Sequence, residues 1–174
     1  MPDDFGELYA GHVDQVWRYV RARVPDHHEA EDVTAEVFAR ALRAWERYDP
    51  ARGTVGAWLV GIAYHTVTDW WRRNRTGGER KVTPMGTEAL EHAEPVAAAG
   101  PPDPEDAVIR EDLLGRLRDG LAELSEREQE ALALRFAGGL RAREVGEVLG
   151  ISEGAVRMLV HRAVGRLRKV VAHE

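Results

Sequence analysis

Apolar positions recur along this chain at three- and four-residue intervals, the period of a helix that buries one face. Phe5, Leu8, Tyr9, Val13, Val16, Trp17, Val20 and Val24 form the first such stripe and predict a helix over about 5–24. Pro25 cannot continue it, and the Asp26 carboxylate is placed to cap the next helix. That second helix is expected to run to about Tyr48, with Ala30, Val33, Val37, Ala41 and Trp45 on one face. Asp49-Pro50-Ala51-Arg52-Gly53 carries turn residues. Thr54 can cap a third helix to about Arg75, with Leu59, Ile62, Ala63, Thr66, Val67 and Trp70 inward. From Thr76 to Asp106 the period dissolves among Gly77-Gly78, Pro84, Pro95, Gly100-Pro101-Pro102 and Pro104. That composition reads as a flexible linker. Helices resume over about 107–124 and, behind a Ser125/Glu128 capping box, to about Ala137. Leu140 to Lys169 then reads as a short helix, a tight turn at Gly150-Ile151-Ser152, and a longer helix capped by Ser152. No segment shows the period of two expected of a strand. The pattern predicts an all-α chain of two small helical domains, 1–75 and 107–174, joined by a flexible linker over 76–106.

The last helix-turn-helix is the most informative stretch. Val156, Leu159, Val160, Ala163, Leu167 and Val170 share one face of its second helix. The other faces carry Arg157, Arg162, Arg166, Arg168 and Lys169, and Glu153 is the one acid of this helix ahead of Glu174. A helix packed on one side and basic on the other, behind a tight turn, suits insertion into a DNA groove. The plainer reading is a surface helix whose charges are solvated.

Charge modifies this picture. The chain of 174 residues has a net charge of −6, 44% hydrophobic and 31% charged residues, and no cysteine. It is globular in composition, and disulfides and thiolate metal sites are excluded. Residues 76–107 hold two Lys/Arg against seven Asp/Glu, so the linker is acidic, whereas residues 126–174 hold nine against seven. So weakly basic a DNA-reading end should bind DNA poorly alone, because phosphate neutralisation supplies most of the affinity. A larger partner is expected to supply much of the grip. The acidic, polar start MPDDFGELY does not look like a signal peptide, and the longest apolar run, Ala57 to Tyr64, is too short to span a bilayer. A cytoplasmic protein without direct membrane insertion is the expectation.

Two further constellations carry chemistry. Asp26, Glu29, Glu31, Asp32 and Glu36 are five acids with no Lys or Arg between them, either a solvated face or a docking patch for a basic partner. On the third helix His65, Thr68, Arg72 and Arg75 follow one another opposite the inward stripe, flanked by Tyr64 and Trp71. Flat rings beside cations are what single-stranded nucleic acid requires. Core packing is the competing role for Trp58, Trp70 and Trp71, and is expected for at least two of them. His27, His28, Glu29 and Glu31 are the one cluster of ligand types, and adjacent histidines on a helix diverge, so no metal site is expected. No phosphate-cradling glycine motif or catalytic triad is present, which points away from an enzyme, a cofactor and a small-molecule substrate.

Taken in order, these segments resemble the extracytoplasmic-function (ECF, group IV) sigma factors of bacterial RNA polymerase. AEDVTAEVFARALRAW (Ala30 to Trp45) resembles that family's polymerase-binding helix. AWLVGIAYHTVTDWWRRNR (Ala57 to Arg75) resembles its −10 recognition and melting helix. LSEREQEALALRFAGGLRAREVGEVLGISEGAVRMLVHRAVGRLR (Leu124 to Arg168) resembles its −35-binding domain. The resemblance covers nearly the whole chain. It implies a sigma-2-like domain, a sigma-4-like helix-turn-helix domain, and a subunit that directs promoter-specific initiation without catalysing anything itself. Asp32, Thr34, Ala35 and Glu36 would contact core RNA polymerase, Ala35 standing where the family often has glutamine. Arg52, Tyr64, His65, Thr68, Trp71, Arg72, Arg73 and Arg75 would take the separated −10 strand. The Asp49–Thr54 loop would capture a flipped base, and His65 stands where the family often has asparagine. Arg157 and Arg162 fall at the principal −35 recognition positions, with Met158 and His161 beside them. Ser152, Arg166 and the clamps Arg141 and Arg143 complete the −35 face. The implied partners are core RNA polymerase, promoter DNA and an anti-sigma factor. A stand-alone helix-turn-helix regulator, or an adaptor whose basic helix binds an acidic partner, would share the C-terminal pattern.

Overall fold

A computed structural model describes residues 5–74 and 104–172, with side chains described from Ile109 in the second stretch. The described residues form helices α1 (Phe5–Arg23), α2 (His27–Ala44), α3 (Val55–Asn74), α4 (Pro104–Ala122), α5 (Glu126–Leu132), α6 (Ala142–Leu149) and α7 (Glu153–Ala172). No strand occurs among them. The all-helical architecture agrees with the periodicity. The expected linker lies outside the described residues, except that Pro104–Asp106 already open α4. Proline suits that place, since the first helical residue has no N–H to pair within the helix.

The local signals act as expected. The Arg21 guanidinium folds back onto the carbonyls of Val24 and Pro25, at 3.1 and 2.8 Å, and closes the end of α1. The Asp26 carboxylate accepts from Glu29 N at 2.9 Å, and the Thr54 hydroxyl accepts from Ala57 N at 3.2 Å. Ser125 and Glu128 make a reciprocal capping box. Two elements differ from the pattern. Helix α2 stops at Ala44 instead of about Tyr48, and Trp45–Arg47 tighten into a 3-10 turn. There Trp45 stacks on Tyr48 at 5.3 Å, and both rings meet Trp58 at 5.8 and 5.2 Å, which draws the chain off the helix axis. Beyond α5, Ala133–Ala137 form a π-helical turn.

Helices α1, α2 and α3 pack on one another around Val16, Tyr19, Val20, Val37, Phe38, Leu59, Val60 and Val67. Leu121, Leu124, Leu132 and Ala163 form a second cluster that seats α4 and α5 on α7. The periodicity does not carry what joins the two modules. Ala133, Leu134, Leu140, Val145 and Val156, all from the C-terminal module, are buried in the same core as α1 and α3. Polar contacts between described residues cross the same seam. Gln15 Nε2 donates to Gly138 O at 2.7 Å, Tyr19 Oη donates to Glu130 Oε1 at 2.6 Å, and Arg23 pairs with Glu130 Oε2 at 3.1 Å.

Candidate nucleic-acid interface

The helix-turn-helix owes its geometry to two glycines. Gly150 takes φ of +66°, a conformation side chains resist, and so ends α6. A Cβ on Gly146 would lie 2.6 Å from the Ile151 carbonyl oxygen, so only glycine lets the turn fold back on α6. Ser152 Oγ then accepts from Ala155 N at 3.1 Å and starts α7. Val156 and Ala163 anchor α7 inward, with Val160, Val164 and Leu167 packed beside them.

That anchoring turns Arg157, Met158, His161 and Arg162 to solvent on one face. Met158 is 52% exposed, an unusual place for a flexible apolar side chain and suited to a thymine methyl group. Arg157 is ion-paired with Glu153 one turn earlier. Arg157, His161, Arg168 and Arg135 border a groove of about 310 Å³ floored by Val156, Val160 and Val164. Arg166 differs from its neighbours. Its Nη1 lies 3.1 Å from Glu128 Oε2, a carboxylate with only 6% of its side chain exposed. Burial alone would raise the Glu128 pKa, but hydrogen bonds from the Ser125 N–H and hydroxyl, with Arg166 beside them, hold it below the ordinary value. Arg166 thus fastens α7 to the start of α5, and the Ser152 hydroxyl is engaged in its cap.

The Asp49–Thr54 loop is held from both ends. Asp49 Oδ1 accepts from Ala51 N at 2.9 Å, and Tyr48 Oη donates to the Gly53 carbonyl at 3.0 Å. The Trp45–Tyr48–Trp58 cluster supports it from below, so Trp58 packs as a scaffold. Arg52 and His65 are exposed beside the loop and border the same cleft. Farther along α3, Thr68 donates to the Tyr64 carbonyl at 2.8 Å, and Arg72 sits 3.4 Å from Asp69. Arg73 is exposed, and Arg75 lies outside the described residues. Trp70 and Trp71 meet edge to face at 4.8 Å, both half-buried. The buried Trp71 Nε1–H has no acceptor among the described residues. Tyr64 is half-buried too, and that burial raises its pKa.

On α2, Asp32 and Ala35 are exposed, whereas Thr34 is 6% exposed and its hydroxyl has no partner among the described residues. Glu36 accepts from Arg40 Nε at 2.8 Å and Arg43 Nη2 at 3.4 Å, and the Arg40 hydrogen bond lowers its pKa. Arg40 also reaches Asp69 Oδ2 at 2.9 Å, tying α2 to α3. Thr34 and Ala35 border a groove of about 630 Å³ between α1 and α2, lined by Phe5, Tyr9, Trp17, Phe38 and Leu42, with Asp14 and Glu31 on its rim. Among the described residues no three His, Cys, Asp or Glu side chains are placed to hold a metal ion together.

Two family models match the chain: Sigma-70 region 2 over residues 8–76 and Sigma-70, region 4 over residues 120–169. The ECF RNA polymerase sigma factor ShbA of Streptomyces griseus is 34% identical over 167 residues, covering 87% of this chain and 78% of the relative. The chain belongs to the ECF RNA polymerase sigma factors. The ECF RNA polymerase sigma factor BldN of Streptomyces coelicolor is 36% identical over 169 residues, covering 97% of this chain, and the chain spans 61% of that relative's length. Among solved structures, the sigma factor RpoE of Bartonella quintana, in complex with the anti-sigma factor NepR, superposes with a TM-score of 0.66. It is 18% identical, with 97% of this chain and 96% of that chain covered, a likeness of fold.

Within this ECF chain, the structure brings Arg157, Met158, His161 and Arg162 onto one exposed face and sets Arg52 beside His65. It separates Tyr64 and Trp71 from them by partial burial. Trp45 and Tyr48 were not singled out as site residues from the sequence, yet they fix the loop. An aromatic pair just before Asp-Pro-x-x-Gly, with Trp58 just after it, was the available signal. No described helix is long and apolar enough to cross a membrane.

Proposed function

We propose that this chain is a group IV sigma factor that binds core RNA polymerase and directs promoter-specific initiation. In this reading residues 1–75 grip the polymerase and the separated −10 strand, residues 76–106 tether, and residues 107–174 read the −35 duplex. The single observation that carries it is that region 2 and region 4 matches occur in one chain and in order. Each also presents an exposed face of suitable chemistry. Arg157 and Arg162 would reach guanine O6 and N7 from α7, and Met158 would meet a thymine methyl group. Arg141 and Arg143 would clamp the DNA backbone. The Arg52/His65 edge of the loop would receive an unstacked −10 base, whose flipping costs a few kcal/mol that pocket contacts offset. Asp32, Ala35 and Glu36 would face basic helices of the polymerase, with Thr34 buried beneath them. An anti-sigma factor is the expected inhibitor, as the RpoE complex has one.

A gel shift of labelled promoter DNA, with and without core polymerase, tests this reading. Retardation that requires both proteins supports it. Retardation by the chain alone, as a dimer, would indicate an independent helix-turn-helix regulator, and none in either case an adaptor.

A further inference from the structure

Tyr48 meets the Asp49–Thr54 loop with two separable parts. Its ring stacks on Trp45 at 5.3 Å and meets Trp58 at 5.2 Å, while its hydroxyl donates across the loop to the Gly53 carbonyl at 3.0 Å. The ring packing needs no hydroxyl, since phenylalanine offers the same flat face. The hydroxyl therefore serves the loop, drawing Gly53 back toward the aromatic cluster. Between these two anchors the chain turns tightly. Arg52 N donates to the Asp49 carbonyl at 3.0 Å, and Ala51 N to the Asp49 carboxylate at 2.9 Å. The Thr54 hydroxyl caps α3 immediately beyond. Each of these bonds holds backbone, and none of them takes up the exposed Arg52 side chain.

Tyr48, Arg52, Gly53, Trp58 and His65 line one wall of a cleft of about 450 Å³. Arg52 comes from the loop and His65 from the middle of α3, so the spacing between them depends on how the loop sits on the helix. Ordering backbone costs conformational entropy, and a cost met during folding is not met again on binding. We propose that Tyr48 is a positioning residue for −10 reading: its hydroxyl fixes the loop, and with it the Arg52-to-His65 spacing that decides which unpaired base the cleft accepts. Tyr48 acts through the loop and not on the base. The role in base choice rests on the function proposed above; the ordering of the loop does not. A fixed loop fits one base, whereas a loose one adjusts to several, so the hydroxyl contributes more to choice than to grip.

Tyr48→Phe removes the hydroxyl and keeps the stack. In the free chain, amide hydrogen exchange at Ala51 and Arg52 should quicken by about two- to tenfold, the worth of one neutral hydrogen bond. Exchange within α1 and α3 should stay as it was. With core polymerase, competition binding of forked promoter DNA, carrying each of the four bases at every −10 position, reads base choice directly. Preference at one −10 position should fall by about two- to tenfold, with the other −10 positions and the −35 preference unaltered. A hydroxyl with a merely structural role would lower the melting temperature and the yield of complex, and leave the ratio between bases unchanged; that result overturns the proposal. Unchanged exchange at Ala51 and Arg52 overturns it too. Should the unsubstituted chain show no base preference with polymerase, the sigma-factor reading and the role in base choice fall together, while the exchange rates still decide whether Tyr48 orders the loop.

Discussion

Arg157 and Arg166 stand on the same helix and belong to different structures. Arg157 is 72% exposed in its side chain and pairs with Glu153 one turn away; Arg166 reaches back to buried Glu128. An exposed i,i+4 pair is worth only a few tenths of a kcal/mol, so Arg157 leaves Glu153 at little cost when a base edge is offered. Arg157→Ala should weaken −35 reading by about 1–3 kcal/mol and relax preference at one base pair, measured by competition binding of the polymerase complex to −35 variants. Equal loss on every −35 sequence would assign Arg157 to phosphate instead. Glu128 carries the structural side of the comparison. Its folded pKa is held below the ordinary 4.5, so the stability it contributes is present above that value and is lost as pH falls through the lower folded one. Glu128→Gln should cost about 1.5–3 kcal/mol at pH 7, the range for hydrogen bonds to a charged group. The gap to the native chain should narrow as urea melts are taken toward pH 4; a gap independent of pH would remove the charge from this account.

At the scale of the element, the helix-turn-helix depends on backbone approach more than on side chains. Gly146→Ala would thrust a methyl group into the Ile151 carbonyl, and displacing a packed turn costs about 1–3 kcal/mol. Its thermal unfolding should fall by several degrees while α7 keeps its helical circular dichroism; an unchanged melting temperature would mean that the turn has room to move. This element was legible in the sequence because its signals are local. Glycine at the turn, serine at the cap and the apolar stripe all lie within one short stretch, Gly146 to Val170. The early stop of α2 was not legible, since three aromatic rings separated by up to thirteen positions decide it. Nor was the role of Arg166, whose partner lies 38 residues away. Among the promoter candidates, exposure separates Arg157, His161 and Arg162 from Tyr64 and Trp71, and for a tyrosine or tryptophan the amino-acid type alone does not decide which face is buried.

The whole molecule couples these elements through one seam. Its two modules could be read from periodicity, but the packing of Leu134, Leu140 and Val156 into one core with α1 and α3 joins residues sixty or more positions apart. No periodic pattern encodes that pairing. On α2 Asp32 is exposed, whereas Glu36 is half-buried and must loosen from Arg40 and Arg43 to meet a basic partner. Reversing both to lysine should abolish co-purification with core polymerase and leave the helical circular dichroism unchanged. Undiminished co-purification would move the docking surface elsewhere. The central claim is that this chain confers promoter choice on a polymerase that lacks it. In vitro transcription by core polymerase over a genomic promoter library, with and without the purified chain, tests that most directly. Defined transcript starts that appear only when the chain is added, sharing one −35 and one −10 sequence, are the predicted result; a start pattern identical to that of core polymerase alone would contradict it.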